Sequence, residues 1–308
     1  MSTEVATTPL AQNTVHHGIC PVCSSAEIFE ALTAKDYTVS GEQFGIWECR
    51  NCSLRFTQDI PVEEEVGVYY QSEDYVSHSN TSKGLINNIY QRVRKRTLKS
   101  KRKLVESAAK QNPGRILDIG CGTGEFLSTM IESGWEGMGL EPDEGAAAQS
   151  KSLGLKVYSN EELFRLGAEG FDVVTMWHVL EHVHRLHEYM GAIHRVLKPG
   201  GLLLIAVPNY TSADAANYGP EWAAYDVPRH LYHFSPKSMG ALLPQHRFDL
   251  EEMKHMPFDP FYVSLLSEKC RHGSPRLVSA AFRGFGSWLK SSANASLGSS
   301  VMYFCRKQ

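Results

Sequence analysis

Asp118-Ile119-Gly120-Cys121-Gly122-Thr123-Gly124-Glu125 follows the short apolar run Arg115-Ile116-Leu117 and precedes Phe126-Leu127. The pattern is a strand, a glycine-rich turn and the opening of a helix. Glycines at 120, 122 and 124 permit a tight turn and let backbone approach a ligand where a Cβ would collide. About 20 residues on, the spacing that ribose recognition asks for, Met138-Gly139-Leu140-Glu141-Pro142-Asp143 ends a second apolar run in an acid. A turn that cradles one end of a nucleoside, with a carboxylate able to take two ribose hydroxyls, describes a nucleotide-type cofactor site. A dinucleotide turn wants Gly-x-Gly-x-x-Gly, and Glu125 stands where its third glycine would fall.

From residue 113 apolar runs and helical patterns alternate, which predicts a parallel sheet covered on both faces. Strands are expected near 115–119, 136–140, 155–158, 171–177 and 202–207. A helix over 187–197 ends at Leu197-Lys198-Pro199-Gly200-Gly201. Ser235-Pro236 opens another, with serine as N-cap and proline at the first helical position. Phe248 to Met253 and Val301 to Cys305 read as the last strands, with a helical insertion over 257–298 that supplies either a dimer contact or a pocket lid.

The Asp-x-Gly-x-Gly-x-Gly of residues 118–124 resembles the first motif of the class I S-adenosylmethionine-dependent methyltransferases. Phe171-Asp172-Val173-Val174-Thr175-Met176-Trp177-His178 is similar to the family's fourth motif, and Val196 to Val207 to its post-strand segment. The resemblance spans residues 113 to about 253 and implies a Rossmann-like α/β fold. In that fold a seven-stranded, mostly parallel sheet ends in an antiparallel edge hairpin. It also implies S-adenosylmethionine as cofactor, contacted by Asp118, Gly120, Cys121, Gly122, Gly124, Glu141 and Pro142. Asn160 or Glu161 would approach the adenine, and Trp177 and His178 would line the reactive end.

Cysteine usage adds a second module. Cys20-Pro-Val-Cys23 and Cys49-Arg-Asn-Cys52 are two CxxC pairs separated by 25 residues. Two such knuckles close a tetrahedral four-thiolate zinc site, whose full ligand set makes the metal structural. Between them β-type alternation through Phe29, Leu32, Tyr37, Val39, Phe44, Ile46 and Trp47 predicts a zinc ribbon over 19–60. A ribbon that small depends on its metal.

The rest of the chain is less explicit. Residues 1–18 read as a disordered leader with His16 and His17 solvated. The segment 61–112 reads as a loop followed by a helix from 85 to 110. Eight of the twelve residues from Arg92 to Lys103 are Arg or Lys. A solvated helix face is the plain reading of that run; a nucleic-acid patch, with Arg94, Arg96 and Lys99 on the phosphates, is the sharper one. With a net charge of −3 over 308 residues, nothing pulls the whole chain toward nucleic acid or an anionic membrane. No run of 18 apolar residues occurs, so the expectation is a cytoplasmic protein without a membrane span.

Two segments compete to assist methyl transfer. In His178-Val-Leu-Glu181-His182 the polar side chains fall at i, i+3 and i+4, on one face of a helical turn. This resembles the Glu-x-x-Glu-His segment of ubiquinone-biosynthesis O-methyltransferases, which implies a divalent ion at His178, Glu181 and His182. Tyr225-Asp-Val-Pro-Arg229-His230-Leu-Tyr-His233-Phe-Ser235 resembles the Glu-His-Leu-x-Tyr-Phe-Ser segment of deoxysugar C-methyltransferases, which implies His230 as base. His230 is the first choice of base and His182 the second, with Tyr225 and His233 beside them. Tyr70, Tyr75, His78, Trp222 and Arg229 are the candidate acceptor contacts. The expected activity is O-methylation of a small molecule; carbon methylation of a nucleotide-linked sugar and RNA methylation are the alternatives.

Overall fold

The computed structural model describes residues 11–71 and 85–308, with side chains described from Arg96 onward in the helix that opens the second stretch. Strands β1 (Thr14–Val15), β2 (Ile28–Lys35), β3 (Gln43–Cys49), β4 (Arg55–Thr57) and β5 (Ile60–Pro61) make up the N-terminal part. Helix α1 (Leu85–Ala109) leads into β6 (Arg115–Ile119), α2 (Glu125–Ile131), β7 (Glu136–Leu140), α3 (Glu144–Ser152) and β8 (Val157–Tyr158). Then come α4 (Glu162–Arg165), β9 (Phe171–Trp177), α5 (Leu186–Val196), β10 (Leu197–Pro208) and α6 (Ala213–Tyr218). The chain closes with β11 (Tyr232–His233), α7 (Pro236–Gln245), β12 (Phe248–His255), α8 (Asp259–His272), α9 (Leu277–Ala293) and β13 (Ser300–Lys307).

Seven strands form one sheet in the order β12-β13-β10-β9-β6-β7-β8. The five strands β6 to β10 are mutually parallel, and β13 runs antiparallel to both its neighbours. Strand β10 explains itself: Leu202 to Val207 is an unbroken apolar run, and all six side chains are fully buried, as a strand covered on both faces requires. Helix α7 starts where the sequence says, with Ser235 and Ser238 in a reciprocal capping box and Pro236 in the first turn. The order reverses across β6 and β9, whose C-terminal ends therefore open the crevice where ligands bind in such sheets.

The cysteine-rich part is not a separate bead. Its sheet has the order β11-β4-β3-β2, so the fourth strand comes from Tyr232–His233, far along the chain. Tyr232 pairs with Phe56 and His233 with Arg55. The polar residues 11–18, expected to be disordered, are structured: β1 pairs with β5, and the Glu65 carboxylate accepts the Gln12 and Asn13 amides at 2.7 and 3.1 Å. His17 is half-buried against the edge of Phe56, not solvated. Polarity concealed this because main-chain pairing and the Glu65 carboxylate do much of the holding.

Candidate active site

The turn after β6 is held to the end of β7 by the Gly120 and Cys121 amides, which donate to the Leu140 carbonyl at 2.7 and 3.0 Å. Gly120 has φ +69°, and a Cβ there would come within 2.3 Å of Val179. Gly122 also lies in the left-handed region, but nothing stands within 4 Å of where its Cβ would be. That open space over a bare backbone is the cradle expected for the amino-acid end of a nucleoside cofactor. Glu141 crosses to it, accepting the Gly122 amide at 2.8 Å through one oxygen and the Asp143 amide at 2.9 Å through the other. Each carboxylate oxygen keeps a lone pair for a ribose hydroxyl. Asp118 is buried and accepts the Thr175 hydroxyl at 2.6 Å. Burial pushes its carboxyl up to about 7. Cys121 packs inward against Gly139, and burial raises its thiol to about 12, so it is an inert space-filler. Pro142 is exposed beside the turn.

Two buried polar atoms near this cradle lack a hydrogen-bond partner: the Asn160 carbonyl oxygen and the Trp177 indole nitrogen. A buried orphan is costly, so each is an invitation to a ligand. Glu161, the other candidate for the adenine side, is bound to Arg185. Lys101 of α1 lies over the Trp177 ring at 4.1 Å, and burial lowers its pKa. Sequence reading treated the basic run as one solvated face or one patch; Lys101 instead turns inward, on the side of α1 that carries buried Val105. The signal was the i, i+4 spacing of Lys101 and Val105.

His178 ends β9 in the left-handed region at φ +58°. Its two nitrogens lie 3.4 Å from Glu181 and 3.4 Å from Asp259, the first residue of α8. Burial opposes its cation, yet these carboxylates raise it to about 9. The candidate divalent set therefore changes. His178 is engaged in ion pairs, whereas Glu181, His182 and His230 each offer an atom within 4.8 Å of the others. Both Glu181 oxygens are buried without a hydrogen bond.

His182 and His230 stack edge to face at 4.6 Å. The His230 Nδ1 lies 2.9 Å from the Ala224 carbonyl, an obligate acceptor, so Nδ1 carries the proton and Nε2 keeps its lone pair. Asp226 stands 4.0 Å from that Nε2. His182 Nδ1 reaches the Arg229 carbonyl and the Tyr70 hydroxyl, each at 3.0 Å. Burial, with the neighbouring His230, lowers His182 to about 4.

Four other expected contacts are committed elsewhere. Tyr225 is buried, with its hydroxyl accepting from Arg55 at 2.7 Å. His233 is buried at 3.1 Å from the Thr57 hydroxyl, and burial drives its pKa well down. Trp222 is a core residue whose indole donates to Asp214 at 2.9 Å. Arg229 is 1% exposed and binds Asp36 at 2.9 Å, Asp226 at 2.7 Å and the Tyr69 carbonyl at 2.8 Å. Aromatic and basic residues in a loop read as ligand contacts, but here they pack the loop itself. Tyr75 and His78, and the Arg94 side chain, lie outside the described residues.

In the ribbon the four cysteine sulfurs all lie within 4.8 Å of one another, with Cys20–Cys52 and Cys23–Cys49 at 3.5 Å. A disulfide needs about 2.05 Å. Four bonds of about 2.3 Å to a tetrahedral zinc give sulfur–sulfur edges near 3.8 Å, so the cluster fits that ion.

The sheet order, the cradle and its acid now meet a direct comparison: a methyltransferase-domain family model matches residues 90–253. The chain belongs to the class I S-adenosylmethionine-dependent methyltransferases. Among its relatives, ubiquinone biosynthesis O-methyltransferase of Xanthomonas oryzae pv. oryzae (strain PXO99A) is 31% identical over 161 residues, covering 48% of this chain and 67% of that protein. The mitochondrial ubiquinone biosynthesis O-methyltransferase of Mus musculus is 29% identical over 181 residues, covering 51% of this chain and 49% of that protein. An S-adenosylmethionine-dependent methyltransferase structure from Archaeoglobus fulgidus aligns with TM-score 0.46 and 22% identity, over 67% of this chain and 94% of that one.

Two variants of the methyltransferase test this geometry. Glu141→Ala is expected to weaken S-adenosylmethionine binding about 10- to 100-fold, the worth of one or two lost hydrogen bonds to a charged acceptor. Titration calorimetry reads it, and an affinity within twofold of the native enzyme would remove Glu141 from the cofactor site. Arg229→Met strands Asp36 and Asp226, whose carboxyls Arg229 holds below their usual range despite burial. Breaking such a buried pair costs about 3–5 kcal/mol, visible in a urea transition. A loss under about 1 kcal/mol, the worth of an exposed pair, would show that Arg229 is not the strut described.

Proposed function

We propose that this methyltransferase transfers a methyl group to a hydroxyl of a small-molecule acceptor, with His230 as general base. When bound, S-adenosylmethionine supplies a methyl already activated on a sulfonium, so the protein's task is alignment and removal of one proton. The observation that carries the reading is the His230–Ala224 hydrogen bond, which leaves Nε2 as the ring nitrogen open to an acceptor proton, with Asp226 4.0 Å from it. Glu141, the glycine turn, Asn160 and Trp177 would hold the cofactor, and Tyr70 would meet the acceptor next to His182. The relatives named as O-methyltransferases support oxygen over carbon as acceptor atom. The four cysteines would hold a structural zinc. Among the described residues no helix is long and apolar enough to cross a membrane, in keeping with a cytoplasmic enzyme.

The test is turnover of radiolabelled S-adenosylmethionine against phenols and catechols, nucleotide-linked sugars and RNA, with mass spectrometry of the product. Methyl on a sugar carbon or an RNA base, and none on a hydroxyl, would refute the O-methyl reading.

The buried Glu181 carboxylate, 3.4 Å from His178 yet making no hydrogen bond, favours a second reading, in which a divalent ion sits at Glu181, His182 and His230 and binds the acceptor oxygen. Two imidazoles and one carboxylate suit a transition metal or zinc better than magnesium. Elemental analysis separates the cases. Two ions per chain, falling to one in His182→Ala, would establish the second site; one ion per chain, unchanged in that variant, would exclude it.

A further inference from the structure

Helix α9 is turned inside out. Ala280, Gly284, Ser287 and Ser291, at i, i+4, i+7 and i+11, form its buried stripe. The same spacing two residues earlier, about 200° around a helix of 3.6 residues per turn and so on the opposite face, gives Val278, Phe282, Phe285 and Leu289, all large and all exposed, with Phe282 76% and Val278 72% accessible. A helix on a soluble domain normally does the reverse. The small stripe has a cause: a Cβ on Gly284 would stand 2.9 Å from the Phe261 Cα, so α9 crosses α8 in close contact. That crossing sets partly exposed Phe261 beside α9; Phe258 and Tyr262 are exposed in the same stretch of chain, and Trp288 stacks on Phe285 at 5.7 Å. The result is one aromatic, apolar surface, of the kind that marks an interaction site.

Charge says what covers it. No Asp or Glu occurs from residue 269 to the end of the chain, so the net −3 of the whole protein conceals a cationic end. Arg283 is neutralised by buried Glu268, and Arg271 by Glu221. Arg276 and Lys290, exposed at the two ends of α9, have no acidic partner among the described residues. On the helix wheel Arg276, Arg283 and Lys290 line one flank of the apolar face. An antiparallel two-fold pairing of α9 with a second copy would bring Arg276 and Lys290, both unneutralised, together with no acid on either helix to answer them. An anionic bilayer surface answers both features, taking the aromatic side chains at the headgroup boundary and the flanking cations against lipid phosphate. Among the described residues no helix is long and apolar enough to cross a membrane, so the attachment proposed is in the plane of the surface.

We propose that α9, with the first turn of α8, is an interfacial anchor that docks the enzyme on anionic lipid. The full-length protein is sedimented with vesicles made of equal parts phosphatidylglycerol and phosphatidylcholine, and with phosphatidylcholine alone. The expected result is partition into the anionic vesicles that weakens with added salt. It should fall about tenfold in Phe282→Ser/Leu289→Ser through lost apolar burial. A loss of about tenfold or more is expected in Arg276→Glu/Lys290→Glu. All four side chains are exposed, and unchanged cofactor affinity in calorimetry verifies that the variants are folded. Absence of sedimentation with anionic vesicles would overturn the proposal, as would equal binding by wild type and variants or indifference to phosphatidylglycerol. A dimer in size-exclusion light scattering that Phe282→Ser/Leu289→Ser dissolves would also overturn it, assigning the face to a second copy.

Discussion

His230→Ala is expected to lower kcat about 10²- to 10⁴-fold, the contribution of a positioned general base, while S-adenosylmethionine affinity stays within about twofold. The two readouts part because the cradle is built by the glycine turn and Glu141, while the contacts of the His230 ring go to Ala224 and His182. Its ring is held on both sides: Nδ1 donates to the Ala224 carbonyl, and the ring packs edge to face with His182. Only Nε2 is left to take a proton from an acceptor hydroxyl, and Asp226 is the nearest acid to the cation that results. His182 cannot readily substitute, because burial lowers it to about 4. Single-turnover measurement with pre-bound cofactor isolates the chemical step. Full activity in the variant would eliminate His230 as base. A loss accompanied by release of a metal ion would move His230 from base to ligand.

Removing the zinc that the four cysteines would hold should have the largest effect on stability. With four thiolates as the only ligands, apparent zinc affinities in small modules are worth on the order of 10 kcal/mol or more, which becomes folding free energy. Cys49→Ser, or prolonged exposure to a strong chelator, is therefore expected to unfold the ribbon and lower the thermal midpoint by ten degrees or more, roughly what a loss of several kcal/mol does to a chain of this size. Activity should go with it. The Thr57 hydroxyl of β4 donates to the His230 carbonyl at 2.7 Å, and the Thr57 amide donates to the Leu231 carbonyl at 2.9 Å. Asp36, between β2 and β3, anchors Arg229. Losing the ribbon thus releases the backbone on either side of the proposed base. A metal-free protein with native turnover would refute this coupling.

The central sheet was legible because β6, β9 and β10 carry buried apolar runs, and the ribbon because both cysteine knuckles announce themselves by spacing. The cradle was equally plain, since Gly120 leaves no room for a Cβ and Gly122 takes a left-handed turn that favours glycine. The acceptor side was harder. Residues 219 to 233 form short 3-10 turns and a two-residue strand, too brief to carry a period. Nothing in Trp222 or Tyr225 says which way the ring turns, and both pack inward. The β4–β11 pairing joins residues more than 170 positions apart. Asp259 and Lys101 reach the site from helices assigned to an insertion and a linker. The His-x-x-Glu-His spacing did bring Glu181 and His182 together; the third partner came from another segment.

The shared sheet also bears on how the protein can be divided. A catalytic fragment begun after Pro61 would leave Tyr232–His233 with no strand to pair with, and its main-chain donors and acceptors would face solvent. An isolated ribbon would suffer the mirror-image defect along β4. Exposed edges of this kind seek other chains. Each half, made alone, is thus an aggregation hazard, and the two must be inherited, expressed and engineered as one unit.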